Sequence, residues 1–306
     1  MSSNRLITKL GTLELTSPLL TGSGTFGHDG AALIFSSPSD IGAYVLKTVT
    51  PQPRHGNPAP RLHETPSGLL NSIGLENRGV EHFIAHTAPQ LAQLEIPVVA
   101  NAGGKNVDQF VEMVEAFCDL PAINAIEINL SCPNVDGASL SFSRSPEVVS
   151  EVISRCHEVS NKPLWAKLSP NVTLIAPMAI AAEAAGAEAL TVCNTVLGLA
   201  VDWRNRKPAL GVGYGGLSGP AIHPIAMRMV WEASQVVEIP VVACGGVSCA
   251  DHVLQFLVAG ASAVQIGTSS MRDPGVFSRI AADLRVELAE ADTSVAELVG
   301  SLEWPS

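Results

Sequence analysis

At several points in this sequence an apolar run gives way to a polar or glycine-rich stretch, and residues capable of chemistry stand at those points. Lys47 ends AYVLK, Asn101 ends PVVAN, Asn129 and Cys132 end EINLSC, Lys167 lies in LWAKLS, and Asn194 and Thr195 follow LTVC. An ammonium group at the mouth of a dry pocket costs several kcal/mol unless it is paired, so two such lysines imply an anionic or electron-accepting ligand. Either lysine taken alone could instead snorkel to solvent. Cys132 sits in Asn-Leu-Ser-Cys-Pro-Asn, ahead of a Gly-containing loop that could serve as a lid. A thiol there is placed for attack or proton abstraction, because nearby cations lower a free cysteine's pKa from roughly 8.5. An arbitrary cysteine is usually an inert core thiol; the flanking asparagines and Pro133 argue for a constrained polar pocket instead.

Glycine-rich loops supply a second kind of chemistry. CGGVS (244–248) and IGTSS (266–270) each lead into a helical pattern, and Gly219 in GGLSGP (215–220) precedes another. Backbone amides bared by glycine, aided by a helix amino terminus, can wrap a phosphate. Any single pair of glycines could be only a tight strand-to-helix turn. Two such loops together point to a phosphate-bearing ligand.

The elements that must position these residues alternate. Eight β-rich runs occupy residues 18–21, 43–49, 96–101, 123–130, 163–168, 189–194, 239–244 and 263–267. Several are almost continuously apolar, as strands covered on both faces should be. Between them, apolar spacings of three and four predict helices over residues 107–117, 146–158, 220–236 and 252–259. This is the βαβ rhythm of an α/β protein with a parallel sheet. The even strand count and the length favour a closed (β/α)8 barrel of the TIM type over an open doubly wound sheet. Residues 5–10, Gly11-Thr12 and 13–16 read as a short amino-terminal β-hairpin capping the barrel floor. Residues 51–66 and 202–220 read as long loops. No composition break divides residues 1–306, so one domain is expected. In such a barrel the active site lies at the carboxyl ends of the strands, where the polar residues named above fall.

Composition excludes several classes. With 46% hydrophobic and 15% charged residues the chain builds a large core, and a formal charge of −11 repels nucleic-acid backbones and anionic lipid surfaces. Apolar runs are strand-length and the first nine residues lack a signal-type core, so a cytoplasmic protein without a membrane span is expected. Cysteines at 118, 132, 156, 193, 244 and 249 form no Cys-x-x-Cys pair and have no histidine at metal-ligand spacing. Disulfides, zinc and an intrinsic iron–sulfur cluster are therefore not expected.

NSIGLEN (71–77), INLSCPNV (128–135), KLSPNV (167–172), NTVLG (194–198), GGLSGPAI (215–222) and IGTS (266–269) occur together in order. In these motifs, from the hairpin to the last strand, the chain resembles the dihydroorotate dehydrogenases. The resemblance implies a flavin mononucleotide (FMN) barrel that oxidises dihydroorotate to orotate, the redox step of pyrimidine synthesis. It implies that Cys132 is the general base while hydride passes to flavin N5. Asn71, Ser72, Ile73, Gly74, Leu75, Asn129, Asn194 and Thr195 then match positions that hold the substrate, with Lys47 shared between substrate and flavin. Ser23, Thr48, Asn101, Asn129 and Lys167 match flavin contacts, with Cys193 packed near the ring. Gly219, Gly245, Gly246, Gly267 and Thr268 match the phosphate cradle.

A cysteine base and no membrane-binding extension ahead of the barrel set the chain apart from the quinone-linked branch. Its motif wording is most similar to the NAD-linked type, a homodimer joined by a separate subunit carrying FAD and a [2Fe–2S] cluster into a heterotetramer. No Gly-x-Gly-x-x-Gly fingerprint follows an early strand, so NAD reduction by this chain alone is not expected. A fumarate-linked homodimer, a pyrimidine-reducing flavin domain and a non-catalytic phosphate-binding barrel are the alternatives. Cys193, where a bulkier aliphatic is common, and residues 210–214 depart from the family pattern.

Overall fold

Strands that are apolar on both faces need helices outside the sheet and packed side chains within it. The structure is a computed structural model that describes residues 4–27, 29–131, 142 and 145–305. Its barrel strands are β1 Leu19–Thr21, β2 Tyr44–Val45, β3 Val98–Ala102, β4 Ala125–Asn129, β5 Leu164–Lys167, β6 Ala189–Val192, β7 Val241–Cys244 and β8 Ala261–Ile266. They pair in the order β1-β8-β7-β6-β5-β4-β3-β2, and every ladder is parallel. A parallel bridge from Leu20 to Ala43 joins β1 to β2, with the Gly42 N–H donating to the Leu19 carbonyl at 2.8 Å. The ring of eight strands is thereby closed, as the (β/α)8 reading expects.

Side chains alternate between the two faces, and the inward ones change character along each strand. Val99, Ala125, Trp165, Ala189 and Ala263 join Leu10, Leu15 and Leu20 in an apolar cluster at the barrel floor, so the hairpin Thr8–Leu10/Leu13–Leu15 closes that end. Two residues further along the same five strands stand Asn101, Glu127, Lys167, Thr191 and Gln265, none more than 3% exposed. The barrel therefore holds an apolar plug beneath a fully buried polar layer. That layer lies against the mouth.

Outside the ring, helix Val107–Cys118 buries Phe110, Met113, Val114 and Phe117 against the sheet, a spacing of three, one and three residues that keeps one face apolar. Its first turn is capped by Asn106, whose side chain accepts from the Gln109 N–H at 2.9 Å. Each such aromatic contributes about 1.5–3 kcal/mol by leaving water. Helix Pro146–Val159 repeats the pattern with Val149, Val152, Ile153 and Cys156. The predicted helix over 220–236 is a 3-10 turn, Pro220–Ile222, followed by helix His223–Ser234. The carboxyl tail, which carries no motif, folds as helix Val276–Glu290.

The two predicted long loops are corrected. Leu62–Thr65, Gly68–Asn71, Val196–Gly198 and Gly215–Ser218 pair as a four-stranded antiparallel sheet, and Val201–Asp202 pairs with Lys207–Pro208 as a small ribbon. These strands have two to four residues and are rich in Gly and Pro, so neither length nor alternation announces them. Local hairpins at 62–71 and 201–208 are combined with pairing across the chain, where Gly216 sits opposite Asn71. Among the described residues no helix is long and apolar enough to cross a membrane, and no cluster of His, Cys, Asp and Glu could hold a metal ion.

Candidate active site

A cleft of about 1350 Å³, its open mouth included, lies beside the polar layer and under the four-stranded sheet. Its lining brings together Ser23, Lys47, Thr48, Asn71, Ile73, Gly74, Leu75, Asn129, Lys167, Cys193, Asn194, Thr195, Gly219, Gly245, Gly246, Gly267 and Thr268. No Asp or Glu is among the described lining residues, although the chain as a whole carries a charge of −11. Two lysines facing a cleft without carboxylates make it a local site for anions.

Two residues named from the sequence stand behind the wall. Asn101 is fully buried: its Nδ2 donates to Glu127 Oε1 at 2.6 Å and its Oδ1 accepts from Thr48 Oγ1. Each end of the amide makes one of these bonds, and through them Asn101 braces Thr48, which lines the cleft. Ser72 is likewise buried, and its Oγ has no partner among the described residues. Cys132 and the lid loop that follows it lie outside the described residues.

Hydrogen bonds run from the polar layer to the mouth. Asn129 Nδ2 donates to Thr48 Oγ1 at 3.1 Å, Ser131 Oγ donates to Asn129 Oδ1 at 2.7 Å, and Asn194 Nδ2 donates to Ser131 Oγ at 2.5 Å. Each amide is thereby held in one orientation in the cleft lining. Thr195 is placed by Asn171, whose Nδ2 donates to the Thr195 carbonyl at 3.1 Å while its Oδ1 accepts from the Leu197 N–H at 2.8 Å. The role of Asn171 is not evident from the sequence beyond its place in KLSPNV.

The two lysines differ. Lys167 is 3% exposed; burial alone would lower its pKa, but the Glu127 carboxylate 3.4 Å away holds it above the ordinary value. Lys47 is half-buried, and burial pulls its pKa below the ordinary value, with Glu76 only partly opposing. Among the described residues nothing accepts a hydrogen bond from its Nζ. Burial also pushes the Cys193 and Cys244 thiols upward, so both stay neutral.

At the far end of the cleft the chain comes close to itself. Gly246 has φ +75°, and a Cβ there would meet Cβ, Cα and N of His223 at 2.7–2.9 Å. Gly219 has φ +87° and ψ −170°, a conformation open in practice only to glycine. Among the described residues no carbonyl accepts from the backbone N–H of Gly245 or Gly246. Thr268, whose Oγ1 donates to Ser218 Oγ at 2.8 Å, faces the same space. Unspent amides with no side chains in the way, and no carboxylate nearby, fit the phosphate of a mononucleotide.

Residues 211–216 spell Gly-Val-Gly-Tyr-Gly-Gly, the dinucleotide spacing. The run enters the antiparallel strand Gly215–Ser218 and not a helix, so it lacks the strand–turn–helix setting that would give those glycines a pyrophosphate.

Comparison with known proteins agrees with this geometry. The family described as dihydroorotate dehydrogenase matches residues 5–288. The chain is 46% identical over 287 residues to the dihydroorotate dehydrogenase B (NAD(+)), catalytic subunit, of Anoxybacillus flavithermus, covering 94% of this chain and 92% of that protein. Proteins of the same description from Geobacillus sp. (45% over 287 residues, 94% and 92% covered) and Pelobacter propionicus (43% over 295 residues, 96% and 97%) are similar to it as well. Since the match takes in the barrel, the sheet over its mouth and every residue of the cleft, the chain belongs to the dihydroorotate dehydrogenase family.

Proposed function

We propose that this chain oxidises dihydroorotate to orotate in pyrimidine synthesis as a single FMN-binding barrel over residues 1–306. The observation that carries the reading is the cleft itself: two lysines, three oriented asparagines and a glycine cradle, with no carboxylate among its described lining residues. Bound FMN would supply the acceptor for a hydride. Gly219, Gly245, Gly246, Gly267 and Thr268 would hold its phosphate, and Ser23, Thr48, Asn129 and Lys167 would contact the rest, with Asn101 bracing Thr48 and Cys193 packing near the ring.

The chain's own groups then act on the substrate. Lys47 neutralises the substrate carboxylate. Asn71, Asn129, Asn194 and Thr195, with the turn from Ser72 to Leu75, match donors and acceptors to the alternating N–H and C=O groups of the pyrimidine ring. Cys132 takes the proton from the carbon next to the carbonyl. Its neighbour Ser131 is anchored by Asn129 and Asn194, which fixes the chain where the base begins.

The relatives' description as a catalytic subunit of an NAD(+) enzyme supports a further subunit and NAD as the final acceptor; the resemblance read from the motifs adds that the chain is a cytoplasmic homodimer and that this subunit carries FAD and a [2Fe–2S] cluster. Leu199, Val201, Trp203 and Tyr214, all more than half exposed beside the mouth, offer an apolar surface for a partner. The decisive experiment is an anaerobic absorption spectrum of the purified chain before and after dihydroorotate. Bleaching of a bound flavin is expected, and a colourless protein that takes up no FMN would refute the reading. Reoxidation by fumarate without a partner would select the fumarate-linked homodimer instead.

A further inference from the structure

We propose that Glu127 is a positioning residue for the redox chemistry: its buried carboxylate keeps the Lys167 ammonium charged and in place at the floor of the cleft, and so tunes how readily the bound flavin accepts electrons. The inference rests on the flavin reading of the cleft. Glu127 is completely buried and does not line the cavity, so it touches neither substrate nor cofactor.

Its four hydrogen-bonding neighbours come from four other strands. Asn101 Nδ2 donates to Oε1 at 2.6 Å and Lys167 Nζ to the same oxygen at 3.4 Å, while Thr191 Oγ1 and Gln265 Nε2 each donate to Oε2 at 2.6 Å. Four donors, the Lys167 ammonium among them, converge on the two carboxylate oxygens. Gln265 then turns its Oε1 to Lys167 Nζ at 3.0 Å, so the amide bridges anion and cation. Among the described residues Lys167 also donates to Ser23 Oγ at 3.5 Å, on the side of the cleft.

Other titratable groups near Lys167 do not replace this counter-ion. The Cys193 thiol beyond β6 and the Cys244 thiol ending β7 are kept neutral by burial, and Lys47 across the cleft carries the same sign. Without Glu127, burial alone would govern the ammonium, and its proton would come off at a lower pH. A charged Lys167 favours an electron-rich ring beside it and a neutral one does not.

The test is an anaerobic redox titration of the FMN-loaded chain across about pH 6 to 9, a range in which an ordinary lysine does not titrate. Glu127→Gln is expected to add an inflection equivalent to one proton taken up per two electrons, absent from the wild type. Glu127→Asp, which keeps the charge, should restore the wild-type profile, and the inflection should vanish in the Glu127→Gln/Lys167→Met double variant. Where Glu127→Gln does not fold, Gln265→Leu removes only the bridging amide and should move Lys167's titration partway toward the same range. A wild-type profile in Glu127→Gln, or in Gln265→Leu where Glu127→Gln does not fold, overturns the inference, even when wild-type flavin bleaches with dihydroorotate. A wild-type chain that takes up no FMN defeats the cofactor reading itself, and the inference with it.

Discussion

Asn194 Nδ2 donates to Ser131 Oγ at 2.5 Å, tying the loop after β6 to the residue immediately before Cys132. The same amide reaches Asn129 Oδ1 at 3.4 Å, so one side chain braces two positions at the end of β4. Ser131, the last described residue of this segment, is thus held against a strand end by two asparagines.

Replacing Asn194 by Ala removes a ligand-facing amide and this brace together. Losing a hydrogen bond of this kind costs about 1–3 kcal/mol, so orotate affinity, read from the perturbed flavin spectrum, is expected to fall roughly 5- to 150-fold. Unchanged affinity would remove Asn194 from the substrate site.

Cys132→Ala is expected to slow flavin reduction by dihydroorotate about 10²- to 10⁴-fold, the usual worth of a general base, with flavin content unchanged. Stopped-flow bleaching measures the first quantity and the absorbance ratio of flavin to protein the second. Rapid bleaching by the variant would assign the base elsewhere.

Lys47 is held below its ordinary pKa first by burial, so its charge opposes folding when no anion is bound. An unfolded chain holds that proton more tightly than the folded one. The cost is therefore full below the lowered folded pKa and fades as pH rises from there to the ordinary lysine value. Lys47→Met should leave the ligand-free chain at least as heat-stable as the wild type. It should also weaken orotate binding about 10- to 100-fold, the equivalent of one charge-assisted hydrogen bond. In the wild type, orotate affinity should decline as pH climbs through the folded pKa of Lys47, and the variant should lose that dependence. Calorimetry and titration at several pH values check both effects.

Gly246→Ala places a methyl group within 2.9 Å of the His223 backbone at a residue with φ +75°. The left-handed conformation alone costs about 1–2 kcal/mol, and the contact adds to it. Purified Gly246→Ala protein should melt lower and carry little flavin. Gly213→Ala, at φ +95° but with nothing within 4 Å, should lose some stability and keep its flavin. Equal flavin content in the two variants would move the phosphate away from Gly246.

Much of this was legible before folding. Each barrel strand announces itself by an apolar run, and inside the runs VVAN, AIEIN, LWAK and ASAVQI a polar residue stands two places after an apolar one facing the same way. Strand alternation is local, so period and composition suffice to place Asn101, Asn129 and Lys167 near the strand ends. The glycine loops are local in the same sense.

What tertiary structure alone decided is which distant residues share a proton or a charge. Glu127 reads in the sequence as one charged residue inside an apolar strand, yet its partners lie 26, 40, 64 and 138 residues away and meet only because the barrel closes. Asn101, named from the sequence as a flavin contact, meets Glu127 and Thr48 only in the folded barrel. The sheet over the mouth pairs residues 145 positions apart through strands too short to carry a period. By itself the sequence determined the barrel strands, the glycine loops and the kinds of groups at their ends. Long-range closure decided which of those groups face the ligand, which face one another, and which cation is left unpaired among the described residues to meet an anion.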